Sequence, residues 1–136
     1  MERAADLLLS GKRVAILVGN GAQRSGATQE LLKLAETLGT PVFTTPAGKG
    51  IISDDNPLCM GVYTRPLGSS SSGDEPVQAF LDTLDTVLVV GSSLPHSRTR
   101  ALGLRLPSNL IHVDIDAESI GKVYDTAVGV VGDARV

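Results

Sequence analysis

Residues 13–21 read RVAILVGNG, and residues 86–93 read TVLVVGSS. In each, an unbroken aliphatic and β-branched run stops at a glycine. Such a run has no polar–apolar alternation, so it predicts a strand buried on both faces, as in a parallel sheet. Leu110–Ile115 (LIHVDI), Ala127–Val131 and the shorter Pro41–Thr45 (PVFTT) are runs of the same kind. Helical patterns fall between them. In Ala27–Leu38 the residues Ala27, Leu31, Leu34, Ala35 and Leu38 form one apolar stripe. Gly39 stands where a left-handed cap is expected, and Pro41 prevents continuation. Val77–Leu84 is a shorter helix with Val77, Phe80, Leu81 and Leu84 on one face, and Pro76 suits its first turn. Glu2–Leu9 is a third, with Ala5, Leu8 and Leu9 expected to face inward. Leu94–Leu106 fits two readings: Leu102, Leu104 and Leu106 alternate, while its position suits a helix. Strands alternating with helices imply right-handed crossovers and a doubly wound open sheet with the first strand central. Leu7–Gly21 and Phe80–Ser93 echo one another, either as two βαβ-type halves or by convergence of buried strands.

Composition bounds the function. The chain has 136 residues, the size of one domain. Hydrophobic residues make up 42% and charged residues 20%, which excludes disorder. The net charge is -3 and aromatic residues are 3%, so neither a phosphate-binding basic face nor a base-stacking platform is expected. No apolar run approaches the roughly 20 residues that span a bilayer, and no signal peptide is read at the N-terminus. Cys59, the single cysteine, excludes a disulfide framework, fits a cytoplasmic setting, and reads as a small buried hydrophobe. The stretch Gly68–Gly73 (GSSSSG) reads as a surface loop.

The candidate chemistry lies at the ends of the strands. Gly19-Asn20-Gly21 opens like a dinucleotide fingerprint, but Arg24 stands where the third glycine belongs, and no acid ends the second strand. Gly21–Thr28 (GAQRSGAT) approximates a P-loop, with Ala27 in place of the lysine. An ordinary NAD site and NTP hydrolysis are therefore disfavoured. A glycine turn between a buried strand and a helix start still offers N–H groups to an anion, and Arg24 adds a positive charge. Gly91-Ser92-Ser93 is a second such turn. Both belong at the carboxyl edge of the sheet, where open α/β folds bind ligands; alternatively, the glycines serve only to make tight turns. Asp114 and Asp116 could take ribose hydroxyls or cap the Ala117–Ile120 turn. His112 reads as a packed strand residue. Ser93 is not a nucleophile elbow, and no cluster has metal-ligand spacing, so no catalytic or metal-binding residue is assigned.

In order, the motifs VAILVGNG, PVFTTPAGKG, ISDDNPLCMGVYT, TLDTVLVVGSSL, LIHVDIDAESIG and VGDARV resemble the middle domain of thiamin-diphosphate-dependent enzymes of the acetolactate synthase and pyruvate decarboxylase group. The resemblance covers nearly the whole chain. It is most specific at Thr44-Thr45 with Gly48-Lys49-Gly50, at Asn56-Pro57 with Gly61, and over Ile111–Ile120. It implies a three-layer Rossmann-like doubly wound parallel sheet of about six strands, of the DHS-like NAD/FAD-binding type shared with sirtuins. It also implies that residues 1–136 are a single central domain, structural or nucleotide-binding. The pyrimidine-binding and diphosphate-binding domains that hold thiamin diphosphate and Mg2+ would lie outside this chain, in an oligomeric parent. Gly132-Asp133-Ala134 departs from the GDG metal motif. The FAD-binding members carry a turn like G-A-R-F-D-D-R where this chain has Gly91-Ser92-Ser93-Leu94-Pro95-His96, so FAD or ADP is expected to bind weakly or not at all. A free-standing FAD/ADP-binding module is the alternative. A sirtuin-like deacylase is disfavoured by the lack of four zinc-binding cysteines.

Overall fold

The computed structural model describes residues 1–63 and 75–135. The elements are α1 (Glu2–Ser10), β1 (Val14–Val18), α2 (Asn20–Arg24), α3 (Thr28–Leu38), β2 (Val42–Thr44), β3 (Cys59–Val62), α4 (Glu75–Leu81), β4 (Thr86–Val90), β5 (Asn109–Asp114) and β6 (Val128–Val131). The six strands pair in parallel in the order β3-β2-β1-β4-β5-β6. This is the order of the doubly wound nucleotide-binding folds, with β1 interior. The expected three-layer Rossmann-like sheet is the one observed.

β1 shows why an unbroken apolar run forms an interior strand. Ala15, Ile16, Leu17 and Val18 are all fully buried. Ala15 and Leu17 join the core on one face with Phe43, Leu81 and Val87. Ile16 and Val18 join the other with Leu31, Val42 and Ile111. Burying one such side chain contributes about 1.5–3 kcal/mol, so an alternating strand would forfeit half of this gain. α3 ends as its glycine predicts: Gly39 adopts φ 58° and ψ 36°, and its N–H is bonded back to Glu36.

Several local expectations change. α1 buries Ala4, Leu7 and Leu8 in part, not Ala5 and Leu9; Leu9 is 71% exposed. Both triplets have i, i+3, i+4 spacing, and docking on the sheet selects between them. Leu34 of α3 is only half-buried, whereas Leu31 and Ala35 are buried. The unexpected α2 fills the stretch between the first strand and Ala27, anchored by the buried Ala22. β3 is only four residues long and half-buried at the edge of the sheet. Its Cys59 is accordingly half-buried, not a core residue. Leu94–Leu106 forms neither a strand nor an α-helix: two short 3-10 turns, His96–Arg98 and Arg100–Leu102, bring Leu104 and Leu106 against the core. α4 stops at Leu81, and Leu84 is buried beyond it. The loop read at Gly68–Gly73 lies outside the described residues.

Candidate functional site

β1 and β4 lie side by side in register, Val18 opposite Val90. From β1 the chain winds toward β2, and from β4 it winds toward β5. The order reverses between them, so the crevice of this fold opens where Gly19–Gly21 and Gly91–Ser93 emerge. The two turns close on each other. The Gly19 N–H donates to the Val90 carbonyl at 2.9 Å, and the Gly21 N–H to the Gly91 carbonyl at 2.8 Å. A Cβ at Gly19 would stand 2.3 Å from the Gly91 oxygen, and one at Gly91 2.2 Å from the Ala22 nitrogen. These donors were expected to be open to an anion; the last carbonyl of β4 and the first of its turn occupy them instead. Close approach of two backbones is what these glycines demonstrably serve.

Two cavities border this contact and share Gly21 and Gly91 in their lining. The first, about 320 Å3, is bordered by Gly21, Arg24, Gly91, Asp114 and Gly132. The second, about 460 Å3, is bordered by Asn20, Thr45, Tyr63, Ser92, Ser93 and Arg98, and again by Gly21 and Gly91. Gly19 is buried beneath both turns. The expected residues thus meet at one edge of the sheet, but in two compartments. Asp116 borders neither. Its Oδ1 accepts the Glu118 N–H at 3.0 Å and its Oδ2 the Ser119 hydroxyl at 2.8 Å. These bonds, Ser119 first, hold its carboxyl below the ordinary range. Of the two roles open to Asp116, the turn cap is therefore the one observed. Asp114 Oδ1 accepts the Asp116 N–H at 2.9 Å, while the residue still faces the first cavity.

Three residues brace the second turn. His112, 2% exposed, sets Nε2 at 2.8 Å from the Ser92 carbonyl. A carbonyl only accepts, so the ring donates through Nε2. Burial pushes the Tyr63 hydroxyl well above its usual pKa, with a hydrogen bond to the Ser92 side chain partly opposing the shift. Leu94 takes φ 45°, a left-handed conformation costing roughly 1–2 kcal/mol for a residue with a Cβ. Its side chain is 2% exposed, and its carbonyl accepts the Thr99 hydroxyl at 3.2 Å. Sequence reading placed His112 in the core but had no signal for its partner. Arg98, Thr45 and Gly132 were also missed as cavity residues. Gly132 could have been found from the sheet order, since β6 beside β5 brings its N–H to the Asp114 carbonyl at 3.0 Å.

Comparison with known proteins accounts for this architecture. The family model described as "Thiamine pyrophosphate enzyme, central domain" matches residues 1–136. The chain belongs to that family. It is 36% identical to a probable acetolactate synthase large subunit of Methanococcus aeolicus, over all of this chain and 22% of that protein. It is 33% identical to a probable 2-ketoarginine decarboxylase of Pseudomonas aeruginosa, over 99% of the chain and 22% of that protein. A pyruvate oxidase of Lactiplantibacillus plantarum is 30% identical over 98% of the chain and 21% of its own length. The central domain thus spans about a fifth of the curated relatives it matches. Among the described residues, no helix is long and apolar enough to cross a membrane.

Proposed function

We propose that this central domain is a noncatalytic, structural unit of an acetolactate synthase-like enzyme, a cytoplasmic oligomer that makes or breaks C–C bonds next to a carbonyl. The full-length family match, to relatives about five times longer, carries the reading. The domain's own residues do not fit thiamin diphosphate with Mg2+. Among those described, no group of three His, Cys, Asp or Glu side chains converges as a metal site. Asp133, at the GDG-like position, spends its Oδ1 on the Arg135 N–H at 2.9 Å. Cofactor binding is therefore assigned to the pyrimidine-binding and diphosphate-binding domains of the parent, which are the domain's partners in this reading.

The carboxyl edge is read as a vestigial nucleotide site. Arg24 would meet a phosphate, and Asp114 a ribose, in the first cavity; Asn20, Ser92 and Ser93 face the second. The Gly19 and Gly21 N–H groups, which would otherwise meet a phosphate, are spent within the protein. Micromolar affinity needs about 8 kcal/mol, whereas an exposed anion gains only about 0.3–1 kcal/mol from a helix dipole. Calorimetric titration of the isolated domain with thiamin diphosphate and Mg2+ should show no saturable binding, and the purified protein should be colourless. Saturable micromolar binding overturns the noncatalytic assignment. Flavin absorbance that survives gel filtration favours the alternative, an FAD- or ADP-binding module.

A further inference from the structure

Asn20-Gly21 is a chemically labile pair. The backbone nitrogen after an asparagine attacks the side-chain amide, and it does so fastest where glycine follows, because no Cβ shields that nitrogen. Of the other asparagines, Asn56 precedes a proline, which has no N–H, and Asn109 precedes the bulkier Leu110 in β5. The fold leaves no room for a side chain at position 21. A Cβ built there would stand 2.8 Å from the Gly91 oxygen and 2.9 Å from its Cα. The contact that demands this glycine also ties up its nitrogen, whose N–H donates to the Gly91 carbonyl at 2.8 Å. Asn20 opens α2 and is exposed at the border of the second cavity. A helical ψ turns the next nitrogen away from the side-chain carbonyl carbon, so ring closure requires the chain to leave this conformation.

We propose that Asn20-Gly21 is a latent deamidation site, closed by the Gly21–Gly91 contact and open to succinimide formation whenever the two turns part. The Gly21 nitrogen gives up its proton to hydroxide and bonds to Cγ of Asn20, and the side-chain nitrogen leaves as ammonia. Water then opens the ring at either carbonyl, giving aspartate or isoaspartate. Either product adds a negative charge at the crevice. Isoaspartate also carries the main chain through its Cβ, which lengthens the backbone by one atom. That atom moves the Gly21 N–H out of register with the Gly91 carbonyl, so a domain that has reacted there does not reclose as before. The modification thus records opening of the crevice between the β1 and β4 turns.

Peptide mass spectrometry with isoaspartate detection, on the full polypeptide that carries the domain, tests this. In urea Asn20 should deamidate faster than Asn56 and Asn109. In the native protein at the same pH, its loss should be at least about tenfold slower than in urea. Amide exchange at Gly21 gives a matching readout, because it needs the same hydrogen bond to open and the same proton to leave. Deamidation should be slowed at least as strongly as that exchange. Gly91→Ala should speed the loss of Asn20 at least about tenfold while circular dichroism still shows a folded protein. Native deamidation at the urea rate overturns the proposal. So does free-chain exchange at Gly21 in a protein whose Asn20 stays intact, or a folded Gly91→Ala variant no faster than the native chain. Where Gly91→Ala does not fold, the comparison of the two reactions in the native protein decides.

Discussion

Gly91 and Gly39 both adopt left-handed conformations, at φ 62° and 58°, yet they answer to different constraints. Nothing lies within 4 Å of a Cβ built on Gly39. Gly39→Ala should therefore cost only the conformational penalty, about 1 kcal/mol. At Gly91 the added methyl would also drive into the Ala22 backbone, 2.2 Å away, where no flexible side chain can give. Gly91→Ala should cost at least twice as much and separate the two turns. Equilibrium urea denaturation of the two variants checks the order, and equal midpoints would show that the contact is not maintained. At His112 the bond to Ser92 makes a second demand besides packing. His112→Ala should lose about 2–4 kcal/mol by cavity formation and an orphaned carbonyl, read by thermal unfolding.

In the apolar stripe of α3, Ala27, Leu31, Leu34, Ala35 and Leu38, the middle residue by sequence is Leu34, which predicts a loss of about 2–5 kcal/mol for Leu34→Ala. The helix is instead rotated so that Leu31, 5% exposed, takes that place. Leu31→Ala should now show the 2–5 kcal/mol loss, and Leu34→Ala in the isolated domain clearly less. Parallel melts of the two variants measure the difference; an equal loss would mean that Leu34 is as fully buried in solution as Leu31. α1 makes the same point, since Ala4, Leu7 and Leu8 face the sheet where Ala5, Leu8 and Leu9 were expected. An i, i+3, i+4 pattern states that a helix has an apolar side, but a short helix with adjacent leucines allows two phases. The partner surface selects one.

Across the molecule, acid should weaken the fold. Hydrogen bonds from Arg105 and then Gln78 hold Asp82 below the ordinary 3.8. At Asp85 burial raises the pKa, but N–H donors from Arg13 and Lys12, each at 3.0 Å, help to bring the net shift below the same value. A carboxylate with a depressed folded pKa stabilises above its unfolded pKa, and that contribution is lost as pH falls through the folded value. Stability should thus be level above about pH 5 and decline below the ordinary carboxyl range, with a shallower decline in Asp85→Asn. Denaturant midpoints from pH 6 to pH 2 measure it; identical slopes would rule out Asp85 as a contributor. The sequence alone determined the parallel sheet, the interior position of β1, the α3 cap at Gly39 and the family. Each is written in contiguous residues, as an unbroken apolar run, a glycine after a stripe, or an ordered set of motifs. Only the tertiary structure decided that the Gly19 and Gly21 donors are spent on β4's turn, that Arg24 and Ser92 face different cavities, that Asp116 caps its own turn, and that β3 is a strand at all. The spent donors and the two cavities depend on carbonyls and side chains tens of residues away; the Asp116 cap is local, but its residues allowed a ribose contact equally well; and an edge strand of four half-buried residues carries too little apolar pattern to announce itself.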